Sequence, residues 1–251
     1  MLCAGPSNGS APTDMSRIAI VAALEREIRP LVKGWRVSEK QHSGRNFRFY
    51  EQQGVVLVCG GIGAEAARRA AEAVIVLFQP ALVCSVGFAG ALDPALNVGE
   101  IVRPHRVVNA TDGSSVTLEG GEGVLVSFSS VASPAQKAKL RESFAAQAVD
   151  MEAGAVARAA EARGVAFVAI KAISDDPDFV FPALERFVDS DGQFQEARFA
   201  WFAVIRPWLW PGLIRLARNG NRASRALCDR LQTMVAETLA REPASEVVER
   251  R

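Results

Sequence analysis

AVDMEAGAVARAAEARGVAFVAIKAISDDPD, residues 148–178, decides the fold. In order it reads as a strand end, an alanine-rich helix, an apolar strand and an acidic turn. Carboxylates stand at both ends, Asp150 and Glu152 before the helix, Asp175 and Asp176 after the second strand. In a strand–helix–strand unit the carboxyl ends of both strands lie on one edge of a sheet, where open α/β folds place their sites. Glu152 and Asp175, 23 positions apart in sequence, are therefore expected to converge.

The flanking segments continue the alternation. Arg17–Ala23 is a buried strand by its continuous β-branched run, followed by a helix over 24–32 with Glu25 and Glu27 in its first turn. Segments 47–51 and 55–59 predict a hairpin about Gly54, and Gly60–Gly63 leads into a helix over 64–78 that Pro80 ends. Residues 81–86 form a strand that runs into a second glycine turn, Gly87–Gly90. A strand over 98–102, a polar loop or weak hairpin over 109–123, a strand over 124–128 and a helix over 134–143 precede the quoted stretch. After it, Pro207 and Pro211 break an aromatic segment, and an amphipathic helix runs from Asn221 to about Arg241 on Leu227, Leu231, Met234 and Val235. The pattern predicts one α/β domain over 17–241, a central mixed sheet flanked by helices, with amphipathic C-terminal helices. Residues 1–16 read as a disordered leader without a signal peptide, and 242–251 as a charged tail.

Composition narrows the chemistry. A formal net charge of +1 gives no case for nucleic acid. Four cysteines without CxxC spacing, two of them (Cys59 and Cys84) inside apolar runs, point to a reducing, cytoplasmic setting and no structural zinc. His42 and His105 are the only histidines, so a multi-histidine mechanism or metal cage is excluded and carboxylates carry the chemistry.

Each candidate has two open readings. Glu27 is a first-turn helix acid, or a carboxylate facing the cleft to hold a nucleophilic water. Asp150 is an N-cap; Glu152 is a helix-start acid or an acceptor for two neighbouring sugar hydroxyls. Asp175 and Asp176 form an Asx turn before Pro177, or a carboxyl pair one of which donates a proton. The two glycine turns are tight packing or places where backbone N–H groups approach a ligand.

Four motifs, IAIVAALEREI (18–28), VCGGIGAEAA (58–67), SVGFAGALDPALNVGEIV (85–102) and the quoted stretch, occur in an order that resembles the purine nucleoside phosphorylase / methylthioadenosine–S-adenosylhomocysteine nucleosidase superfamily. The resemblance implies cleavage of an N-glycosidic bond to a purine, in a homo-oligomer. It implies that Glu152 binds the ribose hydroxyls, Met151 packs on the sugar, Asp175 with Ser174 beside it protonates N7, and Glu27 holds the attacking water or lies near phosphate. Gly87, Ala89 and Gly90 would line the pocket through their backbone. Phe88 stands where many members have serine, which puts phosphorolysis in doubt, and Phe128 or Val131 stands in for the usual base-stacking phenylalanine. No metal or cofactor is expected, inorganic phosphate aside as a co-substrate.

VDSDGQF (188–194), WPGLIRLARN (210–219) and RASRAL (222–227) resemble hopanoid-associated phosphorylases, which implies adenosylhopane as substrate and adenine as product. Methylthioadenosine, S-adenosylhomocysteine or futalosine hydrolysis is the alternative, and a non-catalytic nucleoside- or lipid-binding protein is a second. Trp201, Phe202, Trp208 and Trp210, interleaved with arginines, fit a peripheral patch on the inner membrane face or a subunit interface.

Overall fold

The computed structural model describes residues 18–181, 184–187, 189, 192–195, 198–199 and 209–241. The expected leader and tail, and Trp201, Phe202 and Trp208, lie outside the described residues.

Strand β1 (Ile18–Ala22) lies at the centre of a mixed sheet, parallel to β4 (Val55–Cys59) on one side and β5 (Leu82–Ala91) on the other. It is buried along its whole length, as a strand covered on both faces requires. Alternation sends Ile18, Ile20 and Ala22 to one layer and Ala19 and Val21 to the other. The second layer is built by α2 (Ala64–Phe78) and α4 (Ala153–Glu161), whose alanines let helix and sheet approach closely. The first is built by α1 (Glu25–Ile28) and by α5 (Trp210–Arg241), whose Ala223, Leu227, Cys228, Leu231 and Val235 are buried in the layer over β5 and the strand 166–175.

Strands β2 (Arg36–His42) and β3 (Arg45–Gln52) extend the sheet beyond β4. Gln53 and Gly54, both at positive φ, make the two-residue hairpin turn between β3 and β4 that the sequence predicts. β2 escapes the sequence reading because it is an edge strand exposed on most of its length, with no apolar alternation. On the other side lie β7 (Arg106–Asn109), β8 (Ser115–Thr117), β9 (Val124–Ser127) and β10 (Ala148–Asp150), while β6 (Ile101–Val102) pairs with β11 (Ala166–Asp175). Helix α3 (Pro134–Phe144) joins β9 to β10, starting with a capping box between Ser133 and Gln136.

Three expectations are corrected. Gly87–Gly90 is not a turn: β5 continues to Ala91, because β11 pairs with it from Leu82 to Gly90. The 24–32 helix is a single turn, since Pro30 has no N–H to continue it. Pro211 does not break the last helix but sits in its first turn, where a missing N–H is harmless, so the helix starts at Trp210 rather than Asn221.

β10 runs antiparallel to β5 while β11 runs parallel to it, so the ends of β10 and β11 meet from opposite directions. Val149 and Asp175 both register on Gly90, which is where they converge. β11 holds one edge of β5 throughout. On the other edge the pairing with β1 ends at Ser85 and the pairing with β10 begins at Gly90. Val86–Ala89 thus has no ladder partner on that edge, and the sheet opens there.

Candidate active site

A cavity of about 780 Å³ lies over this opening. Of the sequence candidates, Glu27, Phe88, Ala89, Gly90, Val131, Met151, Glu152, Ser174 and Asp175 line it. Gly87 stands behind Glu27 instead, in a backbone conformation (φ 143°) that favours glycine; a Cβ there would lie 3.0 Å from Glu27 Oε2. Val131 faces the cavity, whereas Phe128 packs against the Val108–Val126 cluster away from it.

The polar end holds two groups of charges. In the first, Lys171 Nζ lies 2.9 Å from Asp150 Oδ2, both buried. Asp150 is fully engaged: Ser127 donates to Oδ1 at 2.6 Å and the Ala153 N–H donates to Oδ2 at 2.9 Å, so its side chain serves the first N–H of α4, whereas the N-cap position itself is Glu152 rather than Asp150. Glu152 accepts from Gly63 N–H at 2.8 Å through Oε1 and from Met151 N–H at 3.2 Å through Oε2. Each of its oxygens keeps a second lone pair. This links the first glycine turn to the mouth of α4.

Glu27 completes the group. Its carboxylate is buried, and Oε2 has no hydrogen-bond partner among the described residues. Burial, reinforced by Glu152 and opposed by Lys171 and Arg26, pushes its pKa up to about 7. Burial, then Asp150, raise Glu152 as well, against Lys171 and the two backbone donors. Burial disfavours the Lys171 ammonium, but Asp150, Glu152 and Glu27 outweigh it and raise its pKa. Lys171 is thus the shared counter-charge of three carboxylates.

In the second group Asp175 is buried between two donors. Lys137 of α3 pairs with Oδ2 and donates to the Asp176 carbonyl at 2.6 Å, while Ser174 donates to Oδ1 at 2.5 Å. Gly90 makes room for the pair: a Cβ there would lie 2.9 Å from Asp175 Oδ2 and 3.2 Å from Lys137 Nζ. Asp176 points away, to Arg215 of α5.

The rest of the lining is largely apolar. Phe88, Phe181, Phe194, Phe199, Leu213 and Leu216 form its wall, with Arg26 stacked 5.2 Å over the Phe194 ring. Trp210 and Ile214, on the same α5 segment, are exposed. Among the described residues no helix is long and apolar enough to cross a membrane, and no three His, Cys, Asp or Glu side chains are grouped to hold a metal.

Lys137 and Lys171 are absent from the sequence reading. The signal for Lys171 is its place in the apolar run AFVAIKAIS, since a lysine on a buried strand requires a partner. Lys137 shares a buried face of α3 with Leu140, a weaker signal on a helix otherwise polar.

The family model described as the phosphorylase superfamily matches residues 17–130 and 121–202. The chain belongs to the phosphorylase superfamily. Among the superfamily's curated members, a 5′-methylthioadenosine/S-adenosylhomocysteine nucleosidase of Staphylococcus aureus (strain bovine RF122 / ET3-1) is 28% identical over 223 residues, 72% of this chain and 97% of the relative. A futalosine hydrolase of Helicobacter pylori superposes with a TM-score of 0.67 at 20% identity, over 88% of this chain and 98% of its own. A 5′-methylthioadenosine/S-adenosylhomocysteine nucleosidase of the same organism, with butyl-thio-DADMe-Immucillin-A, gives 0.66 at 20%, over 89% and 99%. The structural likenesses establish the fold. With the nucleosidase relatives, membership makes this superfamily chain an enzyme that cleaves N-glycosyl bonds.

Proposed function

We propose that the chain hydrolyses the N-glycosidic bond of an adenosine-type nucleoside with a bulky apolar 5′ substituent, adenosylhopane being the specific candidate, and releases adenine. The observation that carries this reading is the division of the cavity. Its lining divides between charged groups (Glu27, Glu152, Asp175 and Lys137) and phenylalanines and leucines, in a volume of about 780 Å³, high in the roughly 300–1,000 Å³ range of small-molecule pockets.

In this reading Glu152 accepts hydrogen bonds from the ribose hydroxyls and Met151 packs on the sugar. Glu27, with Lys171 as counter-charge, takes the proton of the attacking water. Asp175 serves N7 of the base. As the bond breaks, the sugar gains oxocarbenium character and the base gains negative charge, and the two groups of charges stabilise opposite ends of that separation. Water is favoured over phosphate because Glu27, Asp150 and Glu152 share one buried cation, Lys171, so the nucleophile's side of the site repels a further anion. Phe88 adds bulk to the cavity and no hydroxyl. No metal or cofactor is needed for this chemistry. Trp210 and Ile214, exposed beside the apolar wall, support a peripheral lipid contact through which such a substituent enters.

A second reading, hydrolysis of methylthioadenosine or S-adenosylhomocysteine, is favoured by the activity named for the S. aureus relative. Adenine release from adenosines with 5′ groups from methylthio to long alkyl, with and without phosphate, separates the two. Rising kcat/KM with chain length and no phosphate requirement support the first; a preference for methylthioadenosine sinks it. Release from none leaves a binding protein.

A further inference from the structure

The departing base needs a proton, and Asp175, the acid nearest the described donors, has one charged donor in direct contact. Oδ2 accepts from the Lys137 ammonium, while Oδ1 lies 2.5 Å from the Ser174 hydroxyl oxygen, which is itself 3.3 Å from the Ala89 carbonyl and has one proton to share between them. The Ser174 hydroxyl is too weak an acid to serve. Lys137 is 2% exposed, lines the same cavity and holds its ammonium directly against Oδ2 of that carboxylate.

The surroundings are arranged for this pair. Ser174 fixes Oδ1, which leaves Oδ2, over Gly90, as the oxygen that exchanges a proton. Glycine at 90 is what lets Asp175 and Lys137 share the floor of the cavity. Other charged groups on neighbouring elements are spoken for. Asp176 is paired with Arg215 of α5, Arg141 on the next turn of α3 lies 3.6 Å from Asp93, and Asp150 of β10 belongs to Lys171.

We propose that Lys137 is the proton source of the site: as the glycosidic bond breaks, its ammonium passes a proton to Asp175 Oδ2, which passes it to N7 of the purine. The inference rests on the nucleoside-cleaving reading above. A Lys137 N–H bond breaks and a purine N7–H bond forms, while the C1′–N9 electron pair leaves with the base. The water's oxygen bonds C1′ and its proton goes to Glu27. Lys137 passes from ammonium to amine and Glu27 from carboxylate to carboxylic acid, Asp175 ends as the carboxylate it began, the net charge of the site is unchanged, and proton exchange with solvent restores it. Lys137 acts through Asp175 and is a positioning residue in this sense.

The test compares wild type, Lys137→Met and Lys137→Arg on two substrates from about pH 6 to 10: a 5′-alkylthio-adenosine, and 4-nitrophenyl β-ribofuranoside, whose leaving group departs without a proton. On the nucleoside, Lys137→Met is expected to lose about 10²–10⁴-fold in kcat with KM within about threefold. The alkaline limb of the wild-type kcat profile is absent from Lys137→Met and displaced upward in Lys137→Arg. The loss on the nitrophenyl riboside stays under about tenfold. Equal losses on both substrates mean a structural role and overturn the inference, as does an alkaline limb unchanged in Lys137→Met. If the riboside is not turned over, the limb alone decides. Wild-type protein that releases base from no nucleoside overturns the functional reading itself, and is told apart from failure of the Lys137 step by that result.

Discussion

Replacing Glu27 by glutamine separates what this residue does for the reaction from what it does to the fold. Burial lifts the carboxyl from its ordinary 4.5 to about 7, so the folded protein binds that proton more tightly than the unfolded chain does. A raised folded-state pKa means stability that is complete below pH 4.5 and is lost as pH rises through about 7. Each tenfold change is about 1.4 kcal/mol, so the full window from 4.5 to about 7 amounts to about 3 kcal/mol. Glutamine does not titrate. The stability of Glu27→Gln relative to wild type should therefore climb by about 3 kcal/mol between pH 4.5 and 8, whatever constant offset the amide introduces. Urea unfolding at half-unit pH steps measures the climb directly. On the activity side, nucleoside hydrolysis should fall by about 10²-fold or more, and the acid limb of kcat/KM near pH 7 should disappear. A stability difference that is flat with pH, or that falls, refutes the burial argument. A retained acid limb refutes the base assignment.

Two further perturbations probe the floor and the counter-charge. Gly90→Ala puts a methyl group 2.9 Å from Asp175 Oδ2, so turnover should drop by about 10- to 100-fold while chemical unfolding shows a loss of only about 1–3 kcal/mol; unchanged kinetics would show that the pair can move aside freely. Lys171→Met leaves Asp150, Glu152 and Glu27 without their common cation, and should cost about 3–5 kcal/mol near neutral pH with partial recovery in acid, read by thermal melts; a loss under about 1 kcal/mol would mean the network does not depend on it.

The sequence revealed the parts of the site that rest on local pattern. The apolar run of β1, the 64–78 helix and the Asp150–Ser174 succession each follow from periodicity and flanking residues, and the site acids lie at the ends of those elements. It failed where pairing over long sequence separation decides. Gly87–Gly90 looks like a turn until β11, more than eighty residues later, is laid beside it. The convergence of Glu152 and Asp175 was anticipated, but through parallel strands, whereas the β10 ladder is antiparallel to β5. Nor could local reading match Lys137 with Asp175, since nothing within either segment names a partner 38 positions away. Pro211 misled for a different reason: its effect on a helix depends on which turn it occupies, and it lies in the first turn of a helix that starts at Trp210.

That last helix has a consequence for how specificity can change. Leu227, Leu231 and Val235 are fixed in the core, and Leu213 and Leu216 on the same continuous rod form the apolar wall of the cavity. A rod held at one end transmits small rotations to the other as displacements, like a lever on a fulcrum. Substitutions at the anchored end, remote from the cavity, can therefore retune the room at its apolar wall, and variants with altered ligand preference are to be sought among core residues of α5 as well as in the wall itself.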